Sequence, residues 1–234
     1  MQLTLRDVGE MFKESESVVT RWIRQEGLPA QRLAGQFRFN RVEVLDWAIE
    51  KRIRVEARSV DHQVDSPSWV SFADALEAGG VHHKVPGNDR EVAFGAVVAR
   101  LPLPDGFDRD MLLRLFLARE SLGSTAVGNG IAIPHLRHPI VLNVPRALAT
   151  LCFLKRPVTY KAPDNKPVRI LFSVISPTVA AHVQLLARLS RALHDDSNFM
   201  RSVVRMRSRD AIVREVRRFE QSEQAPQQNH MRAA

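Results

Sequence analysis

The sequence predicts an α/β protein with two domains: a small winged helix-turn-helix domain, then a layered domain in which helices flank a mixed β-sheet. Residues 1–54 carry three short helical patterns and one hairpin pattern, whereas residues 68–220 combine apolar strand segments with longer helical patterns. The 234 residues are 44% hydrophobic and 26% charged. This composition is typical of globular domains and excludes a chain that is disordered throughout.

Capping residues and periodicity predict each element of the N-terminal domain. In TLRDVGEMF the apolar residues have helical spacing, and Thr4 and Asp7 are placed as in a capping box. A second helix, SVVTRWIRQEG, is expected to end at Gly27. The segment LPAQRLAGQFRFNR predicts a hairpin around Gly35, and a third helix is expected to begin at Asn40.

The second helix and the hairpin carry side chains suited to DNA. Arginine can bind a guanine edge with its forked guanidinium, and hydroxyl groups can bind phosphate oxygens. The stretch from Gly27 to Val42 contains no acidic residue. The candidate DNA-binding residues are Ser17, Thr20, Arg21, Arg24, Arg32 and Arg38. A folding or partner-binding module with solvated arginines is the alternative, because residues 1–56 hold 10 basic and 9 acidic residues, a net charge of only +1.

This segment resembles the small DNA-binding domain of excisionases and MerR-type regulators. The resemblance covers about 45 residues and rests on the core RWIRQEGLPAQRLAGQFR, including Arg21, Trp22, Pro29 and Gly35. It implies DNA binding by the second helix and the wing. Since one such domain reads a single half-site, it also favours a homodimer.

The remaining chain divides into a linker, a second domain and a tail. Residues 55–67 lack periodicity and are rich in serine and aspartate, which predicts a linker. In the second domain, residues 68–220, helices are predicted for SFADALEAGG, DREVAFGAVVARL, DRDMLLRLFLARES, VAAHVQLLARLSRAL and SRDAIVREVRRF. Strands are predicted for GIAIPH, RALATLCFL and VRILFSVIS. The polar residues 221–234 are expected to form a disordered tail.

The segment RESLGSTAVGNGIAIPH has the composition of a phosphate site that ends in a histidine. Its glycines let backbone N–H groups approach an anion, and Arg119 adds a forked cation. A partly neutral imidazole at His135 can act as a nucleophile. The candidate phosphate-binding residues are Ser121, Ser124, Thr125, Gly128, Asn129 and Gly130. These residues alone leave open a histidine that is structural or merely exposed.

The same segment resembles the IIA domain of the fructose/mannitol class of the sugar phosphotransferase system, particularly its nitrogen-regulatory branch. The signature RE..GST.IGNGIAIPH is matched almost completely, and the resemblance extends from residue 69 to residue 219. It implies that His135 accepts a phosphoryl group from the phosphocarrier protein HPr or its nitrogen-type paralogue. It further implies that Arg119 and His182 assist as catalytic residues, without a metal or cofactor. The bulky Leu136 departs from the small residue common after this histidine and could narrow access for the donor.

These resemblances predict a phosphorylation-responsive regulator, a protein-histidine phosphoryl carrier that couples phosphate on His135 to DNA or partner binding. One alternative is a sugar-transport IIA component that passes phosphate to a IIB domain. Another is a IIA-fold scaffold that is never phosphorylated.

Charge and hydropathy restrict the partners and the compartment. The net charge of +8 favours acidic partners, nucleic acid first. No signal segment or membrane-spanning apolar run is evident, so a cytoplasmic protein without a membrane partner is expected. The single cysteine, Cys152, excludes a disulfide within the chain and is expected to be a buried apolar residue. Adjacent His82 and His83 are expected in a solvated loop rather than at a metal site.

Overall fold

A computed structural model describes residues 2–33, 35–51, 53–54, 69–136 and 144–231, with side chains described as far as Glu223. The predicted linker at residues 55–67 lies outside the described residues. So does the segment at residues 137–143, which follows Leu136.

The N-terminal domain has the predicted winged helix-turn-helix arrangement. Its elements are β1 (Gln2–Leu3), α1 (Leu5–Phe12), α2 (Glu16–Arg21), a π-helical turn (Trp22–Glu26), β2 (Gln31–Leu33), β3 (Gln36–Asn40) and α3 (Arg41–Lys51). The three strands form an antiparallel sheet in the order β1-β3-β2. The capping box is confirmed, because the Asp7 backbone N–H donates to Thr4 Oγ1 at 3.2 Å and the Thr4 N–H donates to Asp7 Oδ2 at 2.8 Å.

Three aromatic rings hold the helices of this domain together. The rings of Trp22 and Trp47 have centroids 5.2 Å apart, and Phe12 packs edge-on against Trp22 at 5.5 Å. Trp47 Nε1 donates to the carbonyl of Glu26 at 3.0 Å, so the indole polar atom is satisfied inside the core. Gly27 then ends the helix with a φ of 73°, a conformation that glycine adopts without strain.

The second domain is a five-stranded mixed sheet with helices on both faces, as predicted. Its elements are α4 (Phe72–Gly79), β4 (Val81–Val85), α5 (Arg90–Val98), α6 (Arg109–Leu122), β5 (Ala126–Gly128), β6 (Ile131–Ala132), β7 (Leu148–Val158), β8 (Val168–Ile175), α7 (Val179–Asp195), α8 (Ser197–Val204) and α9 (Arg209–Met231). The strand order is β4-β7-β8-β6-β5. Pairs β4·β7 and β6·β8 are parallel, and pairs β7·β8 and β5·β6 are antiparallel.

Alternation along β7 divides the core into two layers. Leu151 and Phe153 belong to the layer that contains residues of α4, α7, α8 and α9, whereas Cys152 and Leu154 belong to the layer under α5 and α6. Cys152 is fully buried, and burial raises the pKa of its thiol to about 12. The prediction of a buried, apolar role for this cysteine is therefore confirmed.

The structure corrects two predictions about chain segments. His82 and His83 lie on strand β4 rather than in a loop, and the His83 ring packs over Phe153 with centroids 4.7 Å apart. The predicted disordered tail differs too, because α9 continues to Met231. Part of the reason is an ion pair: Arg191 Nε, on a nearly buried side chain, donates to Glu223 Oε1 at 2.6 Å and so ties the start of the tail to α7.

The two domains pack directly against each other through α3 and α7. Val183 and Ala187 of α7 are buried in the core of the N-terminal domain, while Ile49 of α3 is buried in the core of the second domain. Arg54 adds an ion pair of 3.2 Å to Asp195 at the end of α7. As a result, α3 lies over the region where His135 and His182 meet.

Candidate active site

His135 lies where the sheet stops being regular. Pro134 has no N–H to donate to a strand ladder, so β6 ends at Ala132, and the chain rejoins β8 only through an isolated bridge from His135 to Val174. The His135 side chain is 2% exposed. Its Nδ1 lies 2.7 Å from the carbonyl oxygen of Ile133, which can only accept a hydrogen bond. Nδ1 therefore carries a proton, and Nε2 is the nitrogen directed at the site.

Arg119 approaches from the last turn of α6. A cation there is favoured by the helix dipole, and Arg119 Nη1 donates to the Gly123 carbonyl at 3.0 Å just beyond the helix end. This bond holds the guanidinium, and its Nη2 lies 3.2 Å from Oδ2 of Asp46, whose other carboxylate oxygen contacts His135. The Nε of Arg119 is buried and has no hydrogen-bond partner among the described residues.

His182 completes the group from the first turns of α7, whose N-cap is Thr178. Its ring centroid lies 5.6 Å from that of His135, and the side chain is fully buried. Neither ring nitrogen of His182 has a hydrogen-bond partner within the described part of the chain. Burial, together with the charge of His135, lowers the pKa of His182 to about 3, so the ring is neutral and has one N–H to donate at neutral pH.

The depressed pKa of His182 predicts a pH-dependent stability. In the unfolded chain His182 takes up a proton below its ordinary pKa of about 6.5, whereas the folded chain takes it up only near pH 3. Protons therefore favour unfolding between these values, and the contribution of His182 is lost as the pH falls through this window. We expect this residue to lower the free energy of unfolding by about 2 kcal/mol between pH 7.5 and pH 5.

Urea unfolding at pH 7.5, 6.5 and 5.0 checks this expectation when the intact chain is compared with His182→Gln. The variant cannot titrate, so it should lose less stability over that range. Equal pH dependence in the two proteins would contradict the assignment.

The fourth member of the site, Asp46, was not predicted from the sequence. It belongs to α3 of the N-terminal domain and is 9% exposed. Its Oδ1 lies 2.6 Å from His135 Nε2, and its Oδ2 lies 3.2 Å from Arg119 Nη2. Burial alone would raise the pKa of the Asp46 carboxyl, but the charge and hydrogen bond of His135 and the charge of Arg119 outweigh it and lower the pKa. Asp46 is therefore an ionised carboxylate.

A signal for Asp46 was present in the sequence. The residue lies within the apolar stretch VEVLDWAI, between Leu45 and Trp47, where an acid on a buried helix face needs a partner. No basic residue of that helix is placed to pair with it, so the charge pointed to a partner elsewhere in the chain.

The predicted phosphate-binding residues do not all converge on His135. The hydroxyls are used locally: Ser121 donates to the Ala118 carbonyl at 2.7 Å, Thr125 donates to Glu120 at 2.6 Å, and Ser124 accepts from the Ala126 N–H at 3.2 Å. Gly128, Asn129 and Gly130 form the turn between β5 and β6, all with positive φ. The Asn129 N–H donates to Asp164 at 2.7 Å and so is engaged within the domain.

Leu136 points into the core instead of the site. It is 4% exposed and belongs to the apolar layer under α5 and α6, with Leu112 and Phe116. The expected narrowing of donor access by this side chain is therefore wrong, because the side chain is buried on the other side of the backbone from the His135 ring.

The predicted DNA-reading residues lie on a surface that the second domain leaves uncovered. Ser17, Arg21, Arg24 and Arg32 are exposed, and Thr20 and Arg38 are half-buried. The Arg32 guanidinium lies 5.2 Å from the Phe37 ring centroid, which braces the wing.

Two searches restricted to the described residues gave negative results. No cluster of three or more histidine, cysteine, aspartate or glutamate side chains in this part of the chain could hold a metal ion. Across the same residues, no helix has both the length and the apolar character needed to cross a bilayer.

Comparison with known families identifies both domains. The family model described as "Phosphoenolpyruvate-dependent sugar phosphotransferase system, EIIA 2" matches residues 76–218, which is more than half of the chain. The chain belongs to the EIIA 2 family. A second family, described as a helix-turn-helix domain, matches residues 3–52, so an excisionase-type domain precedes the EIIA 2 domain.

Curated relatives and solved structures agree with this assignment. The chain is 32% identical to a nitrogen regulatory protein of Bradyrhizobium diazoefficiens over 46% of its own length and 70% of that protein. It is 36% identical to a nitrogen regulatory protein of Pseudomonas aeruginosa over 47% of this chain and 71% of the relative. A crystal structure of nitrogen regulatory protein IIA-Ntr from Neisseria meningitidis superposes with a TM-score of 0.54 at 24% identity, covering 62% of this chain and 98% of that one. The structural similarity supports the fold of the EIIA 2 domain.

Proposed function

We propose that this protein is a nitrogen-regulatory IIA-type regulator that accepts a phosphoryl group on His135 Nε2 and couples this modification to DNA binding. The donor is a phosphorylated phosphocarrier protein, HPr or its nitrogen-type paralogue. The observation that carries the proposal is the convergence of His135, Arg119 and His182 from three separate elements on one buried point.

Each of the three side chains has a role that follows from its geometry. Nδ1 of His135 is held by the Ile133 carbonyl, so the free lone pair of a neutral ring lies on Nε2. Arg119, fixed by its bond to Gly123, provides a forked cation for two phosphoryl oxygens. His182 is neutral, so it can donate a hydrogen bond to a third oxygen without adding charge.

The transfer step follows from these positions. The Nε2 lone pair attacks phosphorus as the N–P bond of the donor phosphohistidine breaks in line with it. If the donor ring is protonated on its other nitrogen, it leaves as a neutral imidazole, and His135 keeps its Nδ1 proton on the Ile133 carbonyl. Such transfer depends on positioning and charge stabilisation, which a buried, preorganised site supplies.

The DNA-binding part of the proposal rests on the N-terminal domain. Its reader helix, formed by α2 and the π-helical turn, and its wing, formed by β2 and β3, carry the candidate DNA-binding residues. Ser17, Arg21, Arg24 and Arg32 are exposed there, and Thr20 and Arg38 are half-buried. The domain contacts the EIIA 2 domain at His135, so a change in charge at His135 is transmitted directly to the DNA reader.

Phosphate transfer from purified phospho-HPr or its nitrogen paralogue, followed by intact mass, tests the proposal. The wild-type chain should gain one phosphoryl group, and His135→Ala should gain none while keeping the same fold by circular dichroism. The two forms of the wild-type chain should then differ in affinity for DNA fragments selected with this protein. A wild-type chain that takes up no phosphate would contradict the acceptor function, and equal DNA affinity would contradict the coupling.

A further inference from the structure

Asp46 occupies the place that a phosphoryl group on His135 would take. One carboxylate oxygen lies 2.6 Å from the phosphorylatable nitrogen, and the other lies 3.2 Å from Arg119 Nη2. Arginine binds carboxylates and phosphates through the same fork of N–H donors. The guanidinium that would hold phosphoryl oxygens is therefore engaged by an acid from the DNA-binding domain.

The same contact removes the nucleophile. The Ile133 carbonyl accepts a hydrogen bond from Nδ1, and the ionised Asp46 carboxylate accepts one from Nε2. Both contacts are satisfied by a ring that carries a proton on each nitrogen. Such a ring has no lone pair on Nε2 for attack on phosphorus.

Packing around Asp46 also blocks the approach of a donor. In-line transfer requires the donor phosphorus to come within about 3–3.5 Å of Nε2. The His135 side chain is 2% exposed, because α3 covers it. Helix α3 is held in place by Ile49, which is buried in the core of the EIIA 2 domain, and by Val183 of α7, which is buried in the core of the helix-turn-helix domain. A second protein can reach Nε2 only after α3 has moved away.

We propose that Asp46 is an intramolecular ligand of the phosphoryl site, so that docking of the helix-turn-helix domain and phosphorylation of His135 exclude each other. The inference rests on the proposed function of His135 as a phosphoryl acceptor. Opening moves α3 away, Nε2 loses its proton to water, and the neutral ring then attacks the donor as described above. A phosphoryl group carries roughly two negative charges near neutral pH, so it repels Asp46 and prevents α3 from docking again.

Docking does not hide the DNA-reading surface, since Arg21, Arg24 and Arg32 are exposed in the docked state. Phosphorylation therefore acts on the orientation and freedom of the reader helix rather than on its exposure. Phosphorylation of His135 therefore acts at the interface between the two domains and not at the DNA-reading surface.

Two measurements on the full chain test the exclusion. The first is the rate of phosphate uptake from phospho-HPr or its nitrogen paralogue in wild type, Asp46→Ala, Asp46→Asn and Glu50→Gln. The second is hydrogen–deuterium exchange of the α3 amides without any donor. Glu50 is an exposed acid one turn further along the same helix, so Glu50→Gln is a matched control. Asp46→Asn keeps the shape of the side chain and tests the charge even if Asp46→Ala folds poorly.

We expect Asp46→Ala to take up phosphate at least tenfold faster than wild type, with faster exchange in α3, and Asp46→Asn to exceed wild type as well. Glu50→Gln should match wild type in both measurements. Equal uptake by wild type and both Asp46 variants overturns the inference while leaving the acceptor function intact. If no variant takes up phosphate, the acceptor function fails, and the exchange measurement then decides the docking role: unchanged α3 exchange in both Asp46 variants overturns it.

Discussion

Replacing Arg119 with alanine is expected to slow phosphoryl transfer to His135 by about 100-fold. A preorganised donor aimed at charge that develops in the transition state contributes roughly 10²–10³ in rate when it acts in a buried site. Arg119 meets this condition because Gly123 fixes its guanidinium and only 11% of the side chain is exposed. Lysine at this position keeps the charge but lacks the forked N–H donors of arginine. The rate of phosphoryl transfer to Arg119→Lys should therefore lie between the rates for wild type and Arg119→Ala.

Because Arg119 also binds Asp46, the comparison is best made with Asp46→Ala as the parent chain. In that background Arg119→Ala no longer changes docking through Asp46, and single-turnover uptake measured by intact mass reports the chemical step. A loss smaller than about threefold would contradict an electrostatic role of this size. Unfolding by urea should show that the variants remain folded.

Phe172→Ala is expected to lower the free energy of unfolding by about 3–5 kcal/mol, the usual cost of removing a fully buried phenyl ring. Phe172 is on β8 and is 0% exposed. Its ring packs between Phe72 of α4 and Phe199 of α8, with centroids 6.4 Å and 6.2 Å away. Loss of the ring leaves a cavity between the sheet and the helical layer that also carries His182.

Urea unfolding monitored by circular dichroism measures this effect. Val92→Ala is the matched control, because Val92 is an apolar residue that is 49% exposed, and it should change the free energy by less than about 0.5 kcal/mol. A loss under about 1 kcal/mol for Phe172→Ala would show that this ring packs less tightly than its neighbours indicate.

Much of the fold could be predicted because local chemistry and tertiary packing agree. Thr4 and Asp7 indicate the start of α1, and the apolar runs around Cys152 and Phe172 indicate the strands β7 and β8. Strand β4 was not predicted, because the polar pair His82 and His83 interrupts the apolar pattern of this segment. Its strand conformation depends on pairing with β7, which the local sequence does not indicate. The continuation of α9 beyond residue 220 was not predicted either, because Glu223 pairs with Arg191, a residue 32 positions away in the sequence.

Only the residues with a proposed role in phosphoryl transfer could be predicted from the sequence. His135, Arg119 and His182 are marked by a motif and by spacing, and the structure brings these three together. Asp46 belongs to a different domain, 89 residues from His135, and sequence spacing carries no information about such a contact. The hydroxyls of Ser121 and Thr125 have the right chemistry for phosphate, yet their nearest acceptors within the domain engage them.

The contact between Asp46 and His135 has a consequence for the energetics of a relay of phosphohistidines. Under mutual exclusion, the free energy of docking is subtracted from the free energy of phosphorylating His135, and each 1.4 kcal/mol of docking shifts the transfer equilibrium tenfold toward the donor. Phosphate on His135 therefore has a higher group-transfer potential than it would on an unobstructed histidine. Under this exclusion, half-phosphorylation of His135 requires a higher ratio of charged to uncharged donor than an unobstructed histidine would need. The strength of the contact between Asp46 and His135 would then set the donor ratio at which the protein is half-phosphorylated.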